Sequence, residues 1–281
     1  MDGIVLKEAV RARAKALGFD ACGFAPACTP PHAEAFLDWL AAGRAGEMQW
    51  LGKNAHRRVD PQLVLPGART LVMVAKNYTP QAVGCAAQEG GAAPSEQGAS
   101  GYAIARYAWG EDYHEVLTPR IRALEEALAV HGGLQRSYID TGPVLERDFA
   151  ALAGLGWQGK STMLISRKLG AFFFLGALLT TLEIPPDTPE PDRCGRCTRC
   201  IEACPTGAIT GPGQLDARLC VAYLTIELKG SIPVALRPLI GNRIFGCDDC
   251  AAVCPWNRFA TAAAESRFAA RPYVDQWRLR D

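Results

Sequence analysis

Apolar and polar residues alternate along the first 185 residues with the periods of helices and strands. Helical spacing of apolar residues predicts helices over residues 4–17, 33–42, 113–130 and 145–155. Short apolar runs predict strands over residues 19–24, 71–78, 104–107, 137–140, 164–167 and 171–182. The pattern therefore predicts a domain that contains both helices and strands.

Polar residues follow several of these strands, and two stretches break the pattern. The strand over 71–78 is expected to deliver Lys76 and Asn77 to its end, and Asp140 precedes the turn sequence Thr-Gly-Pro.

Residues 81–101 are rich in Gly, Ala, Ser and Gln, which favours a flexible loop. Four prolines between 185 and 191 predict a boundary near residue 186. We expect domains at 1–185 and 186–260 and a short tail at 261–281.

Charge and hydropathy exclude some classes of protein. The formal net charge of +1 over 281 residues gives no global field for nucleic acid or membrane. The longest apolar run, residues 171–182, is short of the roughly 20 residues that a membrane span needs. The N-terminus has no apolar core of a secretion signal. We therefore expect a soluble cytoplasmic protein with no membrane contact.

Cysteine is the residue that departs most from an ordinary composition. The chain has 11 cysteines, and eight of them fall between residues 194 and 254. Disulfides are rare in cytoplasmic proteins, so metal binding is the better interpretation. The sequence C-x2-C-x2-C-x3-C-P begins at Cys194 and is the run found in bacterial ferredoxins with two [4Fe–4S] clusters.

In that run the fourth cysteine ligates the other cluster. A second motif, C-x2-C-x3-C-P, begins at Cys247, and Cys220 stands alone between the two motifs. The same crossover predicts a first cluster on Cys194, Cys197, Cys200 and Cys254. It predicts a second cluster on Cys204, Cys220, Cys247 and Cys250.

Two zinc sites of four cysteines each are the alternative, although zinc sites favour paired C-x2-C knuckles with a long spacer. Cys22, Cys28 and Cys85 are scattered and are interpreted as ordinary thiols.

The sequences around the cysteines and the predicted strand ends resemble those of one enzyme family, epoxyqueuosine reductase. The matching stretches are Ala105 to His114, Asp140 to Pro143, Gly156 to Gly170, Tyr223 to Gly230, Gly241 to Cys250, and Cys254 to Asn257. The resemblance covers about residues 1–275. Many family members continue into a helical-repeat domain that helps to hold tRNA, and this chain is expected to lack that extension.

The resemblance implies a function and a fold. Members of the family reduce epoxyqueuosine to queuosine at the wobble position of tRNA, the last step of queuosine synthesis. The resemblance implies an α+β fold. Its first part would be a mixed-sheet nitroreductase-like sandwich that binds base-off cobalamin, and its second part a ferredoxin-like module with two [4Fe–4S] clusters. The implied partners are the tRNA anticodon loop and an external low-potential electron donor, and a monomer is expected.

The resemblance also implies roles for particular residues. Asp140 would be the catalytic proton donor, which requires that burial raise its pKa. A turn or capping role is the alternative for this residue. The residues expected to line the cobalamin or substrate pocket are Arg57, Arg58, Tyr107, Tyr113, His114, Asp140, Lys160, Ser161 and Asp248. The relationship to nitroreductases makes a flavin the rival cofactor.

Contacts with tRNA are expected in the second half of the chain. Tyr223 could stack on a base, and Lys229 and Arg243 could meet phosphates. Two other functions stay open at this point. One is a corrinoid reductase of a small molecule, similar to a dehalogenase, and the other is a ferredoxin-like electron carrier.

Overall fold

The computed structural model describes residues 2–79 and 102–271. The predicted loop at 81–101 and the cysteine at position 85 lie outside the described residues. The described strands are β1 (Ala21–Pro26), β2 (Thr70–Asn77), β3 (Ala103–Ile104), β4 (Gln135–Tyr138), β5 (Trp157–Gln158), β6 (Leu164–Ile165), β7 (Phe173–Thr180), β8 (Ile209–Gly211), β9 (Gln214–Leu215) and β10 (Arg243–Phe245).

Helices surround these strands and are short in the second half of the chain. They are α1 (Gly3–Ala16), α2 (Ala33–Ala41), α3 (Gln49–Lys53), α4 (Ala55–Arg58), α5 (Tyr113–Ala129), α6 (Glu146–Leu152), α7 (Arg199–Glu202), α8 (Val221–Ile226), α9 (Arg237–Ile240) and α10 (Asp249–Ala252). Within the described ranges, no helix combines the length and apolar character that crossing a membrane requires.

The central sheet of the N-terminal domain has four strands in the order β1-β2-β7-β4. All three pairings between these strands are antiparallel. The expected mixed sheet is therefore wrong for the described strands. A parallel pair occurs elsewhere, where β3 pairs with β10.

Apolar side chains alternate between the two faces of this sheet. Val72 and Val74 of β2 point toward α1 and α5. Leu71, Met73 and Ala75 point to the opposite face, where α6 packs. Because the side chains of a strand alternate in direction, one fully buried strand supplies both cores. The sheet is thus sandwiched between helices.

Two local predictions differ from the structure. The strand expected over 104–107 is only two residues long, and a 3-10 turn follows at Arg106–Ala108. Helices α3 and α4 were not predicted, because four- and five-residue helices are too short to show an apolar period.

The cysteine-rich module packs closely on the N-terminal domain. Trp39 donates its indole N–H to the Leu215 carbonyl at 2.6 Å, and the Ala217 N–H donates to the Arg44 carbonyl. Asp187, in the proline-rich segment, pairs with Lys7 and Arg11 of α1. The described part of the tail returns to the first domain, where Phe268 joins the core beside Phe174. The boundary near 186 stays a prediction, and many contacts cross it.

Candidate active site and cluster sites

Asp140 lies at the end of β4 and is held by groups from two other elements. Its backbone is left-handed, with φ of 58°, which is uncommon for a residue with a side chain. The Tyr113 hydroxyl donates to its carboxylate at 2.7 Å. Its own N–H donates to the Glu146 carboxylate at 3.1 Å. The turn is therefore fixed by both the side chain and the backbone of Asp140.

The expected burial of Asp140 is wrong, because its side chain is exposed. The four residues of β4 are only partly buried or exposed, and Ile139 is the last buried residue before the turn. The left-handed backbone then turns the chain outward at Asp140. Glu146, six residues later, is half-buried and is the less exposed carboxyl of the pair. Burial and the nearby Asp140 charge raise the pKa of Glu146 to about 8.

Glu146 is a site residue that sequence reasoning missed. It opens α6 and is half-buried against Asp140, Arg58 and Arg147. A glutamate in the first turn of a helix is ordinary in a sequence. The signal that distinguishes Glu146 is its proximity to Arg58, which lies 88 residues earlier in the chain.

Arg58 supports the loop after Asp140. Its guanidinium donates to the carbonyls of Gly142 and Val144, each at 3.4 Å, and lies over the ring of Trp50. Burial lowers the pKa of Arg58. Its buried Nε has no hydrogen-bond partner among the described residues. Arg57, by contrast, donates to the Leu63 carbonyl and supports its own local turn.

Aromatic side chains form the wall beside Asp140. The ring of Tyr113 stacks on Phe174 with centroids 4.4 Å apart, and Tyr107 meets it edge-on at 6.3 Å. Burial raises the pKa of Tyr113, as does the charge of Asp140. Burial also raises the pKa of Tyr107, with smaller contributions from Asp248 and Asp140. Both phenols therefore stay protonated at neutral pH and can donate hydrogen bonds.

His114 and Asp248 lie at two edges of this wall. The His114 ring contacts Tyr113 and pairs with Asp112, whose side chain caps α5. Asp248 accepts the Arg106 N–H at 2.7 Å, and thereby ties the cysteine-rich module to the turn that carries Tyr107. The structure thus brings together Arg58, Tyr107, Tyr113, Asp140 and Glu146.

Several module thiols lie close to other members of their predicted set, and the assignment of each set to one cluster stays a prediction. Cys194, Cys197, Cys200 and Cys254 line one cavity, which Cys250 of the other set also reaches. Burial raises the pKa of the Cys254 thiol to about 11, and Cys194, Cys197 and Cys200 contribute to this shift. Burial likewise raises the pKa of Cys250, with contributions from Cys247, Cys220 and Cys204.

Four thiols around one cavity are the number of ligands that a [4Fe–4S] cubane needs. In a cubane each thiolate ligates a different iron, so the sulfur atoms surround the site without converging on one point. Among residues 2–79 and 102–271, no three His, Cys, Asp or Glu side chains are placed to hold one metal ion. Cys22, by contrast, is buried apart from both sets, and burial raises its pKa to about 12.

Lys160 and Ser161 lie in the cavity of the first cluster set. The Lys160 ammonium donates to the carbonyls of Gly195 and Cys197 at 2.7 and 3.0 Å. The resemblance predicts both residues at the cobalamin pocket, but within the described residues no contact joins either of them to Asp140.

Two of the three residues expected to contact tRNA make contacts within the protein instead. Tyr223 is 6% exposed, and its hydroxyl accepts the Glu47 N–H at 2.9 Å inside the module core. The prediction that Tyr223 stacks on a base is corrected, because the ring offers no free face. Arg243 is largely buried and pairs with Asp249 at 2.5 Å. Lys229 is exposed.

Two family models match the chain. The model described as 4Fe-4S double cluster binding domain matches residues 193–257. The model described as Epoxyqueuosine reductase QueG, DUF1730, matches residues 58–141.

Curated relatives carry the second of these names. Epoxyqueuosine reductase of Salmonella typhimurium is 43% identical over 257 residues, which are 91% of this chain and 65% of the relative. The enzyme of Pseudomonas aeruginosa is 39% identical over 277 residues, which are 98% of this chain and 75% of the relative. The chain thus spans about two thirds to three quarters of these two relatives.

Solved structures agree with these matches. A crystal structure of epoxyqueuosine reductase with an epoxyqueuosine-modified tRNA-Tyr stem loop matches with a TM-score of 0.84 and 33% identity. The match covers 96% of this chain and 70% of the chain in that structure. A Bacillus subtilis epoxyqueuosine reductase structure, with its catalytic aspartate loop swung out of the active site, matches with a TM-score of 0.81 and 32% identity. The coverage is again 96% of this chain and 70% of that one.

Proposed function

The chain belongs to the epoxyqueuosine reductase family, and we propose that it reduces epoxyqueuosine to queuosine in tRNA. The observation that carries the proposal is Asp140, beside the two-cluster module. Its exposed carboxyl accepts the Tyr113 hydroxyl, and its backbone N–H donates to Glu146. An exposed carboxyl on a fixed turn can reach the base of a large substrate. The solved relative with a modified stem loop supports tRNA as that substrate.

The reaction needs two electrons and two protons and releases water. Opening the epoxide breaks one C–O bond and leaves an alkoxide, and Asp140, which a bound tRNA would cover, is proposed to carry a proton and donate it to that oxygen. The second C–O bond breaks as the two electrons form the alkene, and a second proton, from solvent, releases the oxygen as water. Tyr113 holds the carboxylate through its hydroxyl and limits the directions it can take. The catalytic aspartate loop of the Bacillus subtilis relative supports an aspartate in this role.

Cobalamin, proposed in its base-off form, is the cofactor that suits this site. When bound, it supplies a strongly reducing cobalt nucleophile for the epoxide carbon. The residues of the chain fit a corrinoid in two respects. The buried Nε of Arg58 has no partner among the described residues and can donate to an amide or phosphate oxygen. The aromatic wall of Tyr107 and Tyr113 can pack against the corrin edge.

The clusters are proposed to pass electrons from an external low-potential donor to this site. Asp248 supports that role, because it connects the cluster module directly to the turn of Tyr107. Lys229 remains the candidate for a phosphate contact, since it is exposed. A cytoplasmic monomer remains the expectation.

Conversion of modified tRNA tests the proposal. The full chain with both clusters loaded would be incubated anaerobically with cobalamin, a strong reductant and tRNA that carries epoxyqueuosine. Digestion and mass spectrometry should show queuosine, with an equal loss of epoxyqueuosine. If conversion fails although iron content and cobalamin binding are complete, the substrate assignment is wrong.

A further inference from the structure

The cavity of the first cluster set, defined as Cys194, Cys197, Cys200 and Cys254, is lined by basic side chains. Lys160, Arg193 and Arg199 all reach it, and no Asp or Glu is among its lining residues. The second set has charges of both signs nearby, because Arg243 pairs with Asp249 beside Cys247. The basic lining thus distinguishes the first cavity.

Lys160 is the most firmly placed of the three basic residues. Its ammonium spans the cysteine loop by donating to the Gly195 and Cys197 carbonyls. Its carbonyl accepts the N–H of Gly213, in the turn between β8 and β9. Both ends of the residue are therefore anchored. Within the described residues it forms no ion pair, so no carboxylate neutralises its charge.

The backbone on either side of Lys160 is also fixed. Gly159 lies so close to Ile165 that an added Cβ would be 2.4 Å from that side chain, and 3.5 Å from the Cys194 sulfur. Thr162, two residues after Lys160, has a left-handed φ of 66°. The Arg147 guanidinium donates to the Thr162 carbonyl at 2.7 Å. This turn thus connects the start of α6 with the first cluster site.

We propose that Lys160 raises the reduction potential of the first cluster. Reduction of a [4Fe–4S] cluster adds one electron, supplied by a one-electron donor, and makes the cluster more negative. A fixed cation beside the cysteine loop stabilises that reduced form. The inference rests on the two-cluster assignment and is independent of the substrate.

An anaerobic redox titration of the full chain, followed by electron paramagnetic resonance, tests this proposal. Lys160→Gln keeps a hydrogen-bond donor but removes the charge, and Lys160→Arg keeps the charge. Lys168→Met, which removes an exposed lysine outside the cavity, is the matched control. Dithionite serves as the reductant. Iron and sulfide content is measured on every sample.

We expect Lys160→Gln to move one of the two reduction waves to a more negative potential. The shift should be about tenfold in the reduced-to-oxidised ratio, or about 59 mV for one electron. Lys160→Arg and Lys168→Met should leave both waves near those of the parent protein. Unchanged waves in fully loaded Lys160→Gln would overturn the proposal, as would equal shifts of both waves. Loss of a cluster from Lys160→Gln but not from Lys160→Arg would also overturn it, since Lys160 would then hold the loop instead of tuning the potential.

Discussion

Asp140 and Glu146 are two carboxyl groups in one turn with different surroundings. Asp140 is exposed and accepts the Tyr113 hydroxyl, whereas Glu146 is half-buried and accepts the Asp140 N–H. A carboxyl that must reach a substrate needs access, and a carboxyl that fixes a backbone needs a closed environment. The pair satisfies both requirements within one loop.

Replacing Tyr113 by Phe should slow the reaction with little change in substrate binding. The Tyr113 hydroxyl donates the hydrogen bond that orients the Asp140 carboxylate. A hydrogen bond to a charged group contributes about 1.5–3 kcal/mol of stabilisation. We expect kcat to fall by roughly tenfold or more while KM changes by less than about threefold. Single-turnover and steady-state rates measure this split.

Tyr138→Phe is the control for this variant, because its ring packs on Gly142 while its hydroxyl has no partner in the described residues. Equal losses in the two variants would contradict the role of Tyr113.

Replacing Glu146 by Gln should change how stability depends on pH. The folded-state pKa of about 8 exceeds the ordinary value of 4.5, so the folded protein binds a proton that the unfolded chain has released. The stability contributed by the neutral carboxyl is complete below about pH 4.5 and is lost as pH rises toward 8. Glu146→Gln removes this dependence.

The expected difference is on the order of 1–2 kcal/mol at pH 8.5, reduced from the full value because Glu146 is partly exposed to solvent. Denaturant unfolding at pH 5 and pH 8.5 measures it. The loss of stability between these pH values should be smaller in Glu146→Gln than in the parent protein. An equal loss in both proteins would show that Glu146 is not the titrating group.

At the scale of elements, Asn257 connects the cluster module to the central sheet. It follows the Cys254-Pro255 turn and is 7% exposed. Its side-chain oxygen accepts the Ala171 N–H at 2.9 Å, just before β7, and its amide donates to the Ala251 carbonyl in α10 at 2.8 Å. One side chain thus fixes the spacing between β7 and the second half of the module.

Asn257→Ala should destabilise the folded protein by roughly 1–3 kcal/mol, the cost of one buried group without a partner. The substitution leaves the buried Ala171 N–H without a partner, whereas the Ala251 carbonyl still accepts the Cys254 N–H at 3.1 Å. Thermal unfolding of the cluster-loaded protein measures the effect. Asn54→Ala, at a helix start where the side chain makes no capping bond, should change stability far less. Comparable losses in both variants would contradict this role.

The elements were predictable where their burial is regular. Every residue of the predicted apolar stripe on α5 is buried: Val116, Leu117, Ile121, Leu124 and Leu128. The end of the strand expected over 104–107 was not predictable, because the chain turns at Arg106, whose N–H donates to Asp248, 142 residues away. Long-range contacts of this kind leave no periodic trace in a sequence.

The same distinction holds for the site. The cysteine motifs predicted a two-cluster domain, which the family model over residues 193–257 confirms, because cluster geometry requires a short spacing between ligands. Tyr223 stands in the mostly apolar stretch over 221–226, which favours a core, but an aromatic residue also suits an RNA surface. Glu146 was missed because its environment is assembled from α4, β4 and α6.

For the whole molecule, the predicted thiol sets are interleaved, so we expect each cluster to take ligands from both halves of the module. Cys254→Ser should therefore remove the first cluster, and Cys220→Ser the second, so each variant should lose about half of the iron. Cys28→Ser, an exposed thiol outside both sets, should lose none. Iron and sulfide analysis with electron paramagnetic resonance measures this. Identical spectra from Cys254→Ser and Cys220→Ser would contradict the two sets.

The central claim is that a proton from Asp140 and electrons from the cluster module act on one tRNA nucleoside. The most direct measurement is the single-turnover yield of queuosine, by mass spectrometry, from the parent protein and Asp140→Asn at matched iron and cobalamin content. We predict conversion by the parent protein and a rate at least about 100-fold lower in Asp140→Asn, the scale of general acid catalysis. Equal rates for the two proteins would contradict the account.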